Sequence, residues 1–212
     1  MKDMPAFTTE NGAAALILRH IPYTGCAYVR LWDSLAPLAL LEECVGFCRL
    51  VGASHVYATG HAALEAFPVY ARILTMRCDR LSLPETDAAL WPVQAEALAL
   101  WKSIYNEKAG RIPGAAWMDD RECKEMLTQG EGYFVHRGDT LLGIGRVRQD
   151  KLMWVAACVP GGGKDVVSAL AHACTGDVLT LEVAQENEKA LALYTALGFV
   201  VSAPGECWYC VK

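Results

Sequence analysis

"LEVAQENEKALALYTALGF", Leu181 to Phe199, decides how this chain is read. Leu179, Leu181 and Val183 alternate with polar residues, which places them on one face of a strand. A polar loop, Gln185 to Asn187, follows. Ala190, Leu193, Tyr194 and Leu197 then recur at i, i+3, i+4 and i+7, the stripe of a short amphipathic helix. Asn187 suits the helix N-cap and Gly198 the left-handed stop. On these residues alone Tyr194 is a core side chain whose hydroxyl needs a hydrogen-bond partner.

The rest of the chain sets the frame for that segment. It has 212 residues, 53% hydrophobic and 20% charged, enough for one large globular domain or two small ones. A net charge of −5 argues against a nucleic-acid surface and leaves small molecules and proteins as partners. The N-terminus carries no basic leader with a long apolar run, and Ala13 to Leu18 is too short to cross a bilayer. Nine cysteines without framework spacing fit free thiols in the cytoplasm.

Along the chain, the residues before Gly25 read as loose. Cys26 to Trp32 reads as a strand, Ala36 to Gly52 as a helix and His55 to Gly60 as a second strand, a right-handed parallel unit. A helix broken at Pro68 and a strand from Ile73 to Cys78 are expected next. Prolines 84 and 92 bracket a connection. Helices follow over 93–109 and 119–129, the second with aspartates at its positive end. A meander of three strands comes next: 133–137, 140–148 and the run LMWVAACV. A glycine-rich loop leads into a helix over 164–174, the strand VLTLEVA and the quoted helix. FVVSA and ECWYCV are expected as a terminal strand pair. Both halves end in strand-helix-strand-helix, so a divergent duplication is one reading.

This order, together with Asn187, Ala190, Leu193, Tyr194, Leu197, Gly198 and Phe199 in N-x-x-A-x-x-L-Y-x-x-L-G-F, resembles the GNAT acetyltransferase superfamily. The resemblance covers roughly residues 73–212. It implies an α/β fold, a mixed central sheet flanked by helices. Residues 91–212 would form the acetyl-CoA-binding domain, or 73–212 if the strand at 73–78 is its first. Residues 1–90 would be a degenerate, partial GNAT-like segment. By resemblance Tyr194 protonates the leaving thiolate of coenzyme A, and Asn187 contacts the pantetheine arm. Main-chain groups of Val155, Ala157 and Val159 pair with the pantetheine amides. Gly161, Gly162, Gly163 and Lys164 hold the pyrophosphate, where free N–H groups and a helix dipole favour an anion.

The loop VPGGGKDVVSAL departs from the family's Q/R-x-x-G-x-G/A. Aligned through Ala169 and Leu170, the Gln/Arg position is Gly162 and the small positions are Asp165 and Val167. A carboxylate there is expected to repel the pyrophosphate, and a valine to crowd the backbone. The glycines can still form an N–H nest, with Lys164 as the cation. A plain turn capping a helix is the other reading. For the general base, Glu182 and His136 are candidates, the first equally readable as a structural ion-pair partner and the second as an exposed strand residue.

Other chemistry is weaker. Cys207 and Cys210 lie three apart in a strand and point to opposite faces, so no metal site is expected. Cys44 and Cys48 read as buried small hydrophobes, and His55 and His61 lack a third ligand. Gly143-x-Gly145 lacks the third glycine of a dinucleotide fingerprint and reads as close packing or a bulge. GxxxxGK[ST] is not met at 158–165. The expected function is acetyl transfer from acetyl-CoA to an amine of a small molecule or peptide. The alternative is a non-catalytic acyl-CoA-binding, sensing or interaction protein. Membrane and nucleic-acid partners are not expected, and a homo-oligomer is open.

Overall fold

A computed structural model describes residues 5–112 and 114–212, apart from the side chain of Pro204. The chain divides into two compact units, Met1–Arg72 with Gly205–Lys212, and Ile73–Pro204.

The first unit begins with β1 (Ala6–Thr9) and β2 (Gly12–Ile17), an antiparallel hairpin closed by Thr9 and Gly12 where loose chain is expected. The turn residues are Glu10 and Asn11, with the Asn11 N–H donating to Thr9 Oγ1 at 3.1 Å. Gly12 takes φ +141°, where a Cβ would meet the Asp33 carbonyl, and Ala14 to Leu16 are buried behind the hairpin. A single turn, α1 (Ile21–Thr24), precedes β3 (Cys26–Ser34), α2 (Pro37–Leu50) and β4 (His55–Thr59). β3 and β4 are parallel, joined through α2 as expected. Leu40, Leu41, Cys44 and Cys48 of α2 pack on Ala27, Val29, Leu31, Val56 and Ala58. The other face of this sheet carries Tyr28, Tyr57, Tyr70 and Trp208, with Tyr57 and Tyr70 stacked at 3.6 Å.

The expected helix after His61 is only a 3₁₀ turn, Ala62–Ala66. Phe67 is already extended, and Pro68 supplies no N–H for a further helical turn. The chain instead runs as one long strand, β5 (Val69–Asp79).

In the second unit come β6 (Ala89–Pro92), α3 (Leu98–Ala109), α4 (Asp120–Gln129), β7 (Gly132–Arg137), β8 (Thr140–Arg148) and β9 (Lys151–Ala157). They are followed by α5 (Gly163–Ala171), β10 (Val178–Ala184), α6 (Glu188–Ala196) and β11 (Val200–Cys210). Asp119 caps α4, accepting from the Glu122 N–H at 2.8 Å. β11 is one strand and not the expected pair. Its last residues leave the second unit to pair with β4, so Pro204 and Gly205 do not turn the chain back.

The sheet of the second unit runs β5-β10-β9-β8-β7-β6. All its neighbours are antiparallel except β9 and β10. α5 and Tyr194 cover one face with Leu142, Leu152, Leu179, Leu181 and Val183. Trp101 and Tyr105 of α3 and Met126 of α4 cover the other, against Phe134, Ile144 and Ala156. Gly143 and Gly145 allow α5 to lie close: a Cβ on Gly145 would sit 2.2 Å from Leu170 Cδ1, and one on Gly143 2.7 Å from Val166 Cγ2. This is the close packing their spacing suggests.

Candidate functional site: a fork between two parallel strands

β9 and β10 pair only at Lys151–Thr180 and Leu152–Leu181. Both strands continue, to Ala157 and Ala184, without pairing further to each other. β9 stays on β8 as far as Ala157–Gly143, and β10 stays on β5 as far as Ala184–Ile73. The seam therefore opens into a fork above Leu152 and Leu181.

Which main-chain groups face the fork follows from strand alternation. The Cys158 N–H donates to the Leu142 carbonyl at 2.7 Å, so Cys158 addresses β8. Residues of alternate parity address the other edge, which turns the peptide groups of Val155 and Ala157 toward the fork. Val159 differs: its carbonyl accepts from the Gly162 N–H at 3.2 Å and closes the turn before α5.

Gly161 takes φ +78°, left-handed and open to solvent. Gly162 is buried, and Gly163 begins α5. The N–H groups of Gly163, Lys164 and Asp165 have no acceptor within the helix, as at any helix start. A Cβ on Gly163 would lie 2.8 Å from Leu193 Cδ2, so the glycine lets α6 lie close without displacing that side chain. A groove of about 530 Å³ runs beside it, lined by Ser82, Pro84, Lys164, Leu193, Ala196, Leu197 and Gly198. Lys164 is exposed there.

The two expected obstacles in the loop are turned away from this groove. Asp165 Oδ1 lies 2.9 Å from Arg137 Nη2 and accepts from Thr86 Oγ1 at 3.0 Å. Arg137 also donates to Asp87 at 2.7 Å. The carboxylate is thus held toward the end of β7 and neutralised there. Val167 is fully buried in the core beneath α5 and does not line the loop. Sequence reasoning misses Arg137, which no local motif marks as the partner of Asp165.

Asn187 caps α6, its Oδ1 accepting from the Ala190 N–H at 3.3 Å. Tyr194 is buried among the residues that line the α5 face, its ring 5.7 Å from that of Phe199. Its hydroxyl finds no hydrogen-bond partner among the described residues and is not one of their fully buried unpartnered atoms, so the ring is buried while the oxygen keeps access to solvent. Burial pushes its pKa up to about 12, so it holds its proton at neutral pH. Neighbouring Leu181 and Val183 share its face, while Glu182 alternates to the opposite one. The Glu182 carboxylate accepts from Lys151 Nζ at 2.6 Å, across the last paired rung below the fork.

His136 is half-buried and not the exposed strand residue expected. It stacks on Trp91 at 4.5 Å, and its buried Nδ1 has no hydrogen-bond partner among the described residues. Cys207 and Cys210 stay on a strand, and no group of three metal-ligating side chains gathers among the described residues.

No family model matches the sequence, and no curated protein matches it. Solved structures match the fold. A functionally unknown conserved protein from Staphylococcus epidermidis is 11% identical with a TM-score of 0.63, over 98% of this chain and 93% of that one. A GCN5-related N-acetyltransferase from Sphaerobacter thermophilus is 14% identical with a TM-score of 0.59, over 93% and 75%. A tandem GNAT protein from the clavulanic acid biosynthesis pathway is 14% identical with a TM-score of 0.51, over 94% and 78%. The fold of this chain is that of the GCN5-related N-acetyltransferases.

Proposed function

We propose that the chain is an N-acetyltransferase that moves the acetyl group of acetyl-CoA to an amine of a small molecule or peptide. The observation that carries this reading is the fork: β9 and β10 stop pairing at Leu152 and Leu181 although both run on. Unpaired strand edges in a sheet interior are costly to leave without partners, and an amide-bearing arm satisfies them as an added strand does. Acetyl-CoA has such an arm, and when bound it supplies an acyl group already activated as a thioester. The peptide groups of Val155 and Ala157 face that arm. The free N–H groups at the start of α5, with Lys164 beside them, suit its pyrophosphate. Asp165 and Val167 do not oppose it, since one is paired with Arg137 and the other buried. Asn187 sets the start of α6, which places Tyr194 on the α5 side of the fork to protonate the departing thiolate. Nine unpaired thiols support a reducing, cytoplasmic compartment.

The degenerate N-terminal segment is read as having no second site. Its parallel strands β3 and β4 stay paired from Cys26–His55 to Arg30–Thr59, with no fork. A non-catalytic acyl-CoA-binding role is favoured by the burial of Tyr194. Thermal melting with and without acetyl-CoA tests the cofactor reading, because a ligand of the native state raises its stability by about 2.7 kcal/mol at a hundredfold excess over Kd. No shift at millimolar acetyl-CoA would remove it. Release of CoA thiol in the presence of amines then separates enzyme from sensor.

A further inference from the structure

We infer that the sheet face of the first unit lying opposite α2 is an interface, and that its occupant is a second copy of this chain related by a two-fold axis. The inference goes beyond acetyl transfer and does not depend on it. Ala27, Val29 and Leu31 of β3 and Val56 and Ala58 of β4 turn to α2. Alternation therefore puts Tyr28 and Arg30 of β3, and Tyr57 and Thr59 of β4, on the other face. β11 sets Tyr209 opposite Ala58 and Cys210 opposite Tyr57, so Cys210, Trp208 and Glu206 share the face of Tyr57. Tyr70 of β5 lies over Tyr57 there, stacked at 3.6 Å. A sheet face kept for water carries polar residues. This one carries three tyrosines, a tryptophan and an arginine, the residue types that gather at the centre of protein interfaces. Tyr28, Tyr70 and Trp208 are each only half-buried on it.

Two features select a second copy as the occupant. The rings pack on one another, with Tyr28 at 5.5 Å from both Tyr57 and Trp208. They make a continuous surface and leave no slot between them for a small planar or cationic ligand. The charges match a copy of themselves. Arg30 Nη2 lies 2.5 Å from Glu206 Oε2, with the side chains 43% and 30% exposed. Such a pair is weak and exchangeable. In an isologous contact residue i meets j and j meets i. An axis passing between the two side chains lays Arg30 of each copy on Glu206 of the other, and four charges alternate in sign across the contact. A partner of one sign would meet one of the two with its own charge.

The area sets the strength. Six strands, β1-β2-β3-β4-β11-β5, form this part of the sheet. At about 4.8 Å between strands and about 3.3 Å per residue, five residues deep, the face covers roughly 500 Å² on each copy. The two copies together bury about 1,000 Å², the lower end for a specific contact, so the dimer is weak and depends on concentration.

Sedimentation equilibrium of the full chain, from about 1 to about 300 µM at physiological salt, tests this. The wild-type mass is expected to rise from one chain to two across that range. R30E and E206R should each lose self-association, because like charges then meet across the axis. An equimolar mixture of the two variants should form a mixed dimer at least about tenfold tighter than either variant alone. That preference arises only from a contact between copies, since an ion pair confined to one chain stays broken in both variants. The double variant R30E/E206R should associate as the wild type does. W208Q gives an independent arm: it should weaken the dimer about tenfold with little change in melting temperature. It decides the matter if a charge reversal fails to fold by circular dichroism. The inference is overturned by a wild type that stays monomeric at every concentration, or by a mixture of folded variants that associates no better than its components. A dimer indifferent to W208Q lies on another surface and overturns it equally.

Discussion

At the residue scale, Tyr194 and Asp165 ask opposite questions of the same site. Tyr194 is a buried ring whose hydroxyl has no hydrogen-bond partner among the described residues and is not one of their fully buried unpartnered atoms, so it keeps access to solvent and no core bond depends on it. For packing alone, phenylalanine would serve as well. Tyr194→Phe is therefore expected to leave stability within about 1 kcal/mol in urea unfolding, while lowering acetyl-CoA turnover by about 100-fold or more. A clear loss of stability would assign the hydroxyl to the core instead. Asp165 sits at the start of a helix proposed to hold an anion, where a carboxylate would ordinarily be harmful. Arg137 and Thr86 hold it away. Asp165→Asn should thus change the Kd for acetyl-CoA by less than twofold, and cost at most about 1 kcal/mol of stability, because the ion pair is partly exposed. A tenfold tightening on titration calorimetry would mean that the carboxylate does face the phosphates.

At the scale of elements, the seam of α5 against β8 is the tightest constraint around the fork. A methyl group on Gly145 would meet Leu170 within 2.2 Å, and overpacking of a core of this kind costs about 1–3 kcal/mol. Gly145→Ala is expected to lower the melting temperature and, by pushing α5 outward, to weaken acetyl-CoA binding. Unchanged melting would show that Leu170 has room to move. The same scale shows what the sequence could reveal. The strand and helix of 181–199 were legible because each buries a periodic face formed within a few residues. The α4 cap was legible because its aspartate and its donor are three residues apart. Ile73 to Cys78 of β5 was legible, but its first part, Val69–Arg72, was hidden because the run after His61 has apolar residues at helical spacing, and long-range strand pairing, marked by the Cys210 N–H donating to the Pro68 carbonyl at 2.8 Å, overrides it. β11 was hidden because Pro204-Gly205 is a turn signal that long-range pairing overrides. The site divides the same way. Tyr194 and Asn187 stand within one motif, whereas the Thr86 hydroxyl that helps to hold Asp165 comes from 79 residues away.

At the scale of the whole molecule, no helix among the described residues is long and apolar enough to cross a membrane. The interior instead takes in many small and titratable groups, and this makes stability depend on pH at the alkaline end. Burial pushes the thiol of Cys44 up to about 12, and those of Cys48, Cys123 and Cys174 to about 11. Tyr194 is raised to about 12 for the same reason. In each case the folded pKa lies above the unfolded one, so between the two values the folded protein binds more protons than the unfolded chain. The contribution is complete below about pH 8.5, where unfolded thiols keep their protons, and is lost as pH rises through the folded values. Each pKa unit corresponds to about 1.4 kcal/mol, and the groups act together across both units of the chain. The urea midpoint is therefore expected to be flat from pH 7 to 8.5 and to fall steeply between pH 9 and 11. Replacing Cys44 and Cys48 by alanine and valine should blunt that fall without removing it, because Cys123, Cys174 and Tyr194 remain. A midpoint independent of pH up to 11 would show that these thiols meet water in the folded state, and that the core around α2 and α5 is looser than its packing requires.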